Sequence, residues 1–335
     1  MKEINAVLRD LKQRKFKKVY LLMGEETYYI DKISEYIARH ALTEEERAFN
    51  QVVLYGRDIE VDQIISESKR FPMMAEHQVV IIKEAQELNK SIYNLDSFIP
   101  QLQESTILVL CYKYKSIDKR KALYKNIKKE GVVIESKPLY EDKVPGWIIE
   151  EVARRGYRIE PKSAMLLAEF LGTSLGKINN ELDKLCLILP EGSLITPAVI
   201  EENIGISKDF NSFELQKALI SRDQKKAFRI INYYAQNSKE HPILKTIPVL
   251  YNFFSKLLLY HGLKNKGNRN EVASALGISP FFVKDFTLGA QAYSMKSVSA
   301  IVASLRELDL KAKGVGAQNL PAAELYKELL IKLRA

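Results

Sequence analysis

The stretch YLLMGEETYYIDK (20–32) sets a glycine between an apolar run and a helix-like segment. A phosphate-binding loop would occupy that place. Such a loop needs the spacing G-x-x-x-x-G-K-[ST], which wraps backbone N–H groups and a lysine around the phosphates. Here Gly24 stands alone, no Gly-Lys-Ser/Thr follows, and Lys32 lies more than a helical turn too far on. Glu25 and Glu26 fall at the start of the helix, where a carboxylate competes with phosphate for the positive end of the dipole. A nucleotide hydrolase also needs an acidic residue closing a buried strand, to hold Mg2+. In QVVIIKEAQEL (78–88) that position carries Lys83, and Glu84 is left without an acidic partner. Gly24, Glu25, Glu26, Lys83 and Glu84 therefore read as a degenerate nucleotide site, not expected to bind. An atypical NTPase is the least remote enzyme reading, and no linear motif gathers a nucleophile, a base and a partner.

A second stretch, SKRFPMMAEHQVVIIKEA (68–85), offers recognition rather than catalysis. Phe71, Met73 and Met74 surround a proline in a short gap before a strand, where a connection is normally polar. Pro72 biases Phe71 to extended geometry, ends the preceding helix near Arg70, and can begin a new helical turn holding Met73 and Met74. Either Phe71 and Met74, at i and i+3, fold into a core, or the three side chains are offered to another molecule.

Other chemistry is thin. His40, His77, His241 and His261 are scattered, with no metal-ligand spacing, and no metal or cofactor is expected. Cys111 and Cys186 read as small buried hydrophobes of a reducing cytoplasm. No apolar run approaches the ~18 residues of a membrane helix, and the first residues lack the apolar core of a signal peptide. The net charge of +9 hints at nucleic acid or an acidic partner. Lysines interleave with tyrosines in YKYKSIDKRKALYKNIKK (112–129), which gives Lys113 and Lys115 as phosphate contacts. The alternative there is an amphipathic helix with a solvated lysine face. HGLKNKGNRN (261–270) adds Lys264, Lys266 and Arg269. NEVASALGISPFFVKDF (270–286) scans like a helix-turn-helix, the basis of an alternative reading as a helical DNA-binding protein. Its second helix, however, offers Phe281, Phe282, Val283 and Phe286, which are core-packing types rather than base readers.

The elements that must position these residues come in two styles. Up to about residue 135, apolar strands (18–23, 50–55, 78–83, 106–112, 131–136) alternate with helical segments. That pattern predicts a parallel sheet covered on both faces. Beyond Pro138 only helical segments punctuated by Gly or Pro are expected, with no further strand. The division predicted is an α/β domain over 1–139, a small helical domain over 140–208 and a larger all-α domain over 209–335.

Taken in order, KVYLLMGEETYYIDK, FPMMAEHQVVIIKEAQEL, ALYKNIKKEGVVIESKPLYEDKVPGWI, LGTSLGKINNELDKL, NSFELQKAL and VASALGISPFFVKDF resemble the delta subunits of the bacterial DNA polymerase III clamp loader. The resemblance runs along nearly the whole chain. It implies a degenerate AAA+-like module, a three-helix lid over 140–208 and an all-α collar, in a cytoplasmic replication protein. It implies no catalysis by this chain, although the family is part of the polymerase holoenzyme. The partners it implies are the sliding clamp (beta subunit), the delta-prime and gamma/tau subunits and primed DNA, with no membrane. It places the clamp-binding wedge at Phe71, Met73 and Met74, where the family more often carries Leu-Phe for Met73-Met74.

Overall fold

A computed structural model describes residues 2–207, 209–316 and 320–333. Lys208, at the expected boundary of the third domain, lies outside the described residues. Contacts cluster into two compact units, Met1–Ile148 with Leu167–Ile188, and Ile149–Leu166 with Leu189–Ala335. These bounds cut across the 140–208 segment.

The first unit is built on β1 (Val19–Gly24), β2 (Gln51–Tyr55), β3 (Gln78–Lys83), β4 (Thr106–Lys113) and β5 (Val132–Glu135). Every pairing is parallel, in the order β2-β3-β4-β1-β5. Residues of β1, β3 and β4 are apolar almost without interruption because both faces are covered. One face, with Leu21, Met23, Val80, Ile82, Leu108 and Leu110, packs on α4 (Val61–Ser68) through Val61 and Ile64, and on α5 (Ala122–Glu130) through Leu123 and Ile127. α2 (Tyr28–His40) packs on β3 and β4. Its Ile30, Ile33 and Ile37 recur at helical spacing and are fully buried, as an amphipathic helix requires. The segment 85–101 is 3-10 structure, Ala85–Leu95 and Ile99–Gln101, rather than α-helix.

Two helices were not anticipated. α1 (Lys2–Lys12) precedes the sheet, and α3 (Glu44–Asn50) enters β2. α3 has a sequence signature, Thr43-x-x-Glu46. The Thr43 hydroxyl accepts the Glu46 N–H at 3.3 Å and the Glu46 carboxylate accepts the Thr43 N–H at 2.8 Å, a capping box.

After β5 come α6 (Val144–Arg154), α7 (Pro161–Leu171), α8 (Leu175–Ile188) and α9 (Pro197–Ile204), so the described residues of 140–208 hold four α-helices where three were expected. The expectation of no further strand is corrected: β6 (Arg158–Ile159) and β7 (Leu194–Ile195) pair in parallel. Two residues per strand are too few to produce a period in sequence. The all-α part holds α10 (Ser212–Ile220), α11 (Gln224–Gln236), α12 (Ile243–Gly262), α13 (Arg269–Leu276), α14 (Val283–Ala292), α15 (Met295–Ala312) and α16 (Ala322–Lys332) around one core centred on Leu250, Phe254, Leu257, Val298, Tyr326 and Leu329.

In that second unit the buried Glu214 carboxylate accepts from Lys162 Nζ at 2.6 Å and from Lys226 Nζ, with Lys217 Nζ at 3.9 Å. Burial alone would raise its pKa, but the Lys162 and Lys226 ammonium groups outweigh it and hold it below the usual carboxylate value. A folded pKa below the unfolded one means stability present above the unfolded pKa, about 4.3, and lost as pH falls through the folded value. Glu214→Gln is expected to cost about 1–2 kcal/mol at pH 7, the half-exposed lysines moderating the loss. The gap from wild type should narrow in calorimetric melts below pH 4; a gap independent of pH would contradict this role. Gly24 is constrained by space. Its φ is +128°, and a Cβ there would sit 2.0 Å from the Ser136 carbonyl oxygen. Gly24→Ala is expected to lower the melting temperature by roughly 5–10 °C, and an unshifted melt would show that β5 can move aside.

Candidate functional site

Parallel strands bring their carboxyl ends to one edge, where open α/β sheets bind ligands. Gly24 and Lys113 are register partners at that edge, and Lys83 closes the adjacent β3. The degenerate-site residues therefore do converge in space. Two of their backbone donors are already engaged. The Gly24 N–H donates to Lys115 O at 3.1 Å, and the Glu26 N–H to Ser136 O at 3.2 Å. The Glu26 carboxylate accepts the Tyr28 N–H at 2.8 Å, in the first turn of α2. The backbone N–H of Leu175, at the start of α8, also acts on it. Burial raises its pKa, while these two N–H groups pull it down. A carboxylate of the chain itself thus sits at two helix N-termini, the position a phosphate favours. Tyr28 completes the filling: its hydroxyl donates to Asn179 Oδ1 and accepts from Lys32 Nζ, both at 2.8 Å. Trp147 Nε1 donates to the Tyr29 hydroxyl at 2.6 Å. Glu25 is exposed, and Glu84 holds a left-handed backbone, φ 53°, beside Gly56, where a Cβ would meet Glu84 O at 2.4 Å.

The gap between α4 and β3 is where apolar side chains meet solvent. Phe71 is 76% exposed, Met73 59% and Met74 fully. None of the three belongs to the core, so the alternative that placed Phe71 and Met74 inside does not describe this molecule. The helical turn expected from Pro72 is also corrected: residues 71–77 form a bend with no regular structure. Met74 has φ 54°, a value that ends any continuation of a right-handed turn. Polar contacts pin the segment instead. Gln103 Nε2 donates to Lys69 O at 3.4 Å, the His77 ring packs edge-on against Phe16, and the Asn50 side chain bonds both backbone groups of Met73. Phe49, 64% exposed, directly precedes Asn50 at the end of α3. The residue-level reading missed it because it missed α3; the capping box was the available signal.

The basic residues divide. Lys113 is held by Asp31, with Nζ 2.6 and 2.9 Å from the two carboxylate oxygens. Lys115 is exposed, next to an exposed Tyr114 at φ 63°. In the second unit Lys266 Nζ donates to His261 O at 3.2 Å and lies 5.2 Å from the Tyr260 ring centroid. Arg269 Nε donates to Pro280 O, and Lys264 is exposed. α13 ends at Gly277 in the left-handed conformation, as its sequence predicts. Val283 and Phe286 are buried, whereas Phe281 is exposed, contrary to the core role expected of it. Cys111 is buried but Cys186 only half so; it closes no strand and sits on an amphipathic helix with Leu182 and Leu185 inward. Among the described residues there is no cluster of potential metal ligands and no helix long and apolar enough to cross a membrane.

Fold and site together define a parallel five-stranded α/β module whose carboxyl edge is lined by its own hydrogen-bonded side chains, continued by helical segments. The family model for "DNA polymerase III, delta subunit" matches residues 20–137, and that for the "DNA polymerase III delta subunit, C-terminal domain" matches 209–330. The DNA polymerase III subunit delta of Bacillus subtilis is 26% identical over 336 residues, covering 97% of this chain and 96% of that one. A solved structure of the Bacillus subtilis DNA clamp loader delta protein aligns over 98% of this chain and 99% of that one, with a TM-score of 0.55 at 24% identity. The chain belongs to the DNA polymerase III delta subunit family.

With Glu26 on both helix N-termini, titration with Mg-ATP followed by equilibrium dialysis is expected to give no saturable binding up to millimolar nucleotide. Saturable binding that is abolished by Tyr28→Ala would contradict this account of the edge.

Proposed function

We propose that this delta subunit docks on the ring-shaped sliding clamp (beta subunit) through Phe71, Met73 and Met74 and helps to open it for loading on primed DNA. The observation that carries the reading is the exposure of three large apolar side chains on a segment whose backbone is pinned. Exposed apolar groups on an ordered loop favour a partner with apolar pockets. Burying each is worth roughly 1.5–3 kcal/mol, methionine adapts to irregular cavities, and a few such anchors suffice for a hot spot. Docking favours an opened ring only to the extent that the subunit binds that form more tightly.

In this reading residues 140–208 act as the lid and 209–335 as the collar, which assembles with delta-prime and the gamma/tau subunits. Those neighbours hydrolyse ATP; this chain supplies recognition and no catalysis of its own, in the cytoplasm. Lys115 and Lys264, both exposed, are the lysines offered to DNA in the assembled loader. Lys113, Lys266 and Arg269 would first have to leave their partners within the chain.

Calorimetric binding to the sliding clamp of the same organism tests the reading. Met73→Ala/Met74→Ala, shown to be folded by its circular dichroism, is expected to lose about 2–4 kcal/mol of binding free energy. Undiminished binding would move the site elsewhere, and no binding by the wild type would remove the clamp as partner.

A further inference from the structure

Residues 71–77 have no helical or strand hydrogen bonds of their own to fix them. Their three largest side chains point away from the core and gain nothing from it. The anchor is Asn50, the last residue of α3, which is 0% exposed. Its Oδ1 accepts the Met73 N–H at 2.6 Å, and its Nδ2 donates to Met73 O at 3.0 Å and to Glu46 O at 3.0 Å. Both Nδ2 protons and the carbonyl oxygen are thereby used. A side-chain amide that pairs with the N–H and the C=O of one residue imitates a step of a β-ladder. It fixes that residue without covering its side chain. Met74 follows at φ 54°, a conformation that a non-glycine residue keeps only where its surroundings impose it.

We infer that Asn50 is a positioning residue for docking. It holds Phe71–Met74 in the binding conformation before the partner arrives, so association does not have to order the loop. The inference rests on the reading of this segment as the clamp-docking element. The residue type matters. Aspartate keeps the acceptor but sets a carboxylate against the carbonyls of Met73 and Glu46. Alanine keeps neither bond.

The test is a double-mutant cycle on the full chain. Clamp affinity is measured for wild type, Asn50→Ala, Met73→Ala/Met74→Ala and the triple variant, with amide hydrogen exchange followed at Met73. Asn50→Ala is expected to speed Met73 exchange at least tenfold and to weaken clamp binding about tenfold. In the background lacking the Met73 and Met74 side chains it should add little further loss. Unchanged affinity, or an equal loss in both backgrounds, overturns the inference and leaves Asn50 a role in stability alone. Should Asn50→Ala not fold, the small, uncharged polar variant Asn50→Ser, which fills part of the buried site without setting a charge there, enters the same cycle with the same two outcomes. Full affinity in Met73→Ala/Met74→Ala would sink the docking reading, and this inference with it. That failure is recognisable because it arises with Asn50 intact.

Discussion

Five strands running in one direction must end at one edge, and most of the first unit follows from that constraint. The helices lie on the faces because parallel crossovers put them there. The loops at the carboxyl edge meet at Gly24, Lys83 and Lys113 whatever chemistry they carry. In a nucleotide hydrolase that meeting point would hold phosphate. Here it holds Glu26, with its carboxylate on the first N–H groups of α2 and α8, and an ion pair between Lys113 and Asp31. The favourable field of the helix N-termini is satisfied from within.

The exposed apolar segment obeys a different balance. Core burial normally orders a loop and hides its apolar groups together. Between α4 and β3 the two are separated: polar bonds from Asn50 and Gln103 hold the backbone, and Phe71, Met73 and Met74 remain in solvent. Neighbouring α3 is short, and its capping box compensates for a length at which an isolated helix is marginal. A small local motif therefore supports the surface proposed to meet the clamp.

The second unit depends on packing rather than on a site. Its helices converge on one apolar core, and Glu214 joins three elements through Lys162 and Lys226. A buried carboxylate is costly unless paired. Two ammonium groups reaching it from different helices make the pairing specific to this arrangement.

Much of this was written in local residue patterns. The apolar runs of β1, β3 and β4, the isoleucine spacing of α2 and the Gly277 stop of α13 need only neighbours in sequence, so they are legible there. So is the absence of the Gly-Lys-Ser/Thr spacing, which is a fact about consecutive residues. What only the tertiary structure decided are pairings between residues far apart in the chain. Asn50 bonding Met73, Tyr28 bonding Asn179, Lys113 bonding Asp31 and the two-residue strands β6 and β7 leave no period or motif. A hydrogen bond depends on a separation of about 3 Å in space, and separation along the chain carries no record of it. For the same reason sequence could place Phe71, Met73 and Met74 in a gap, while their exposure was settled by which surfaces the rest of the chain had already covered.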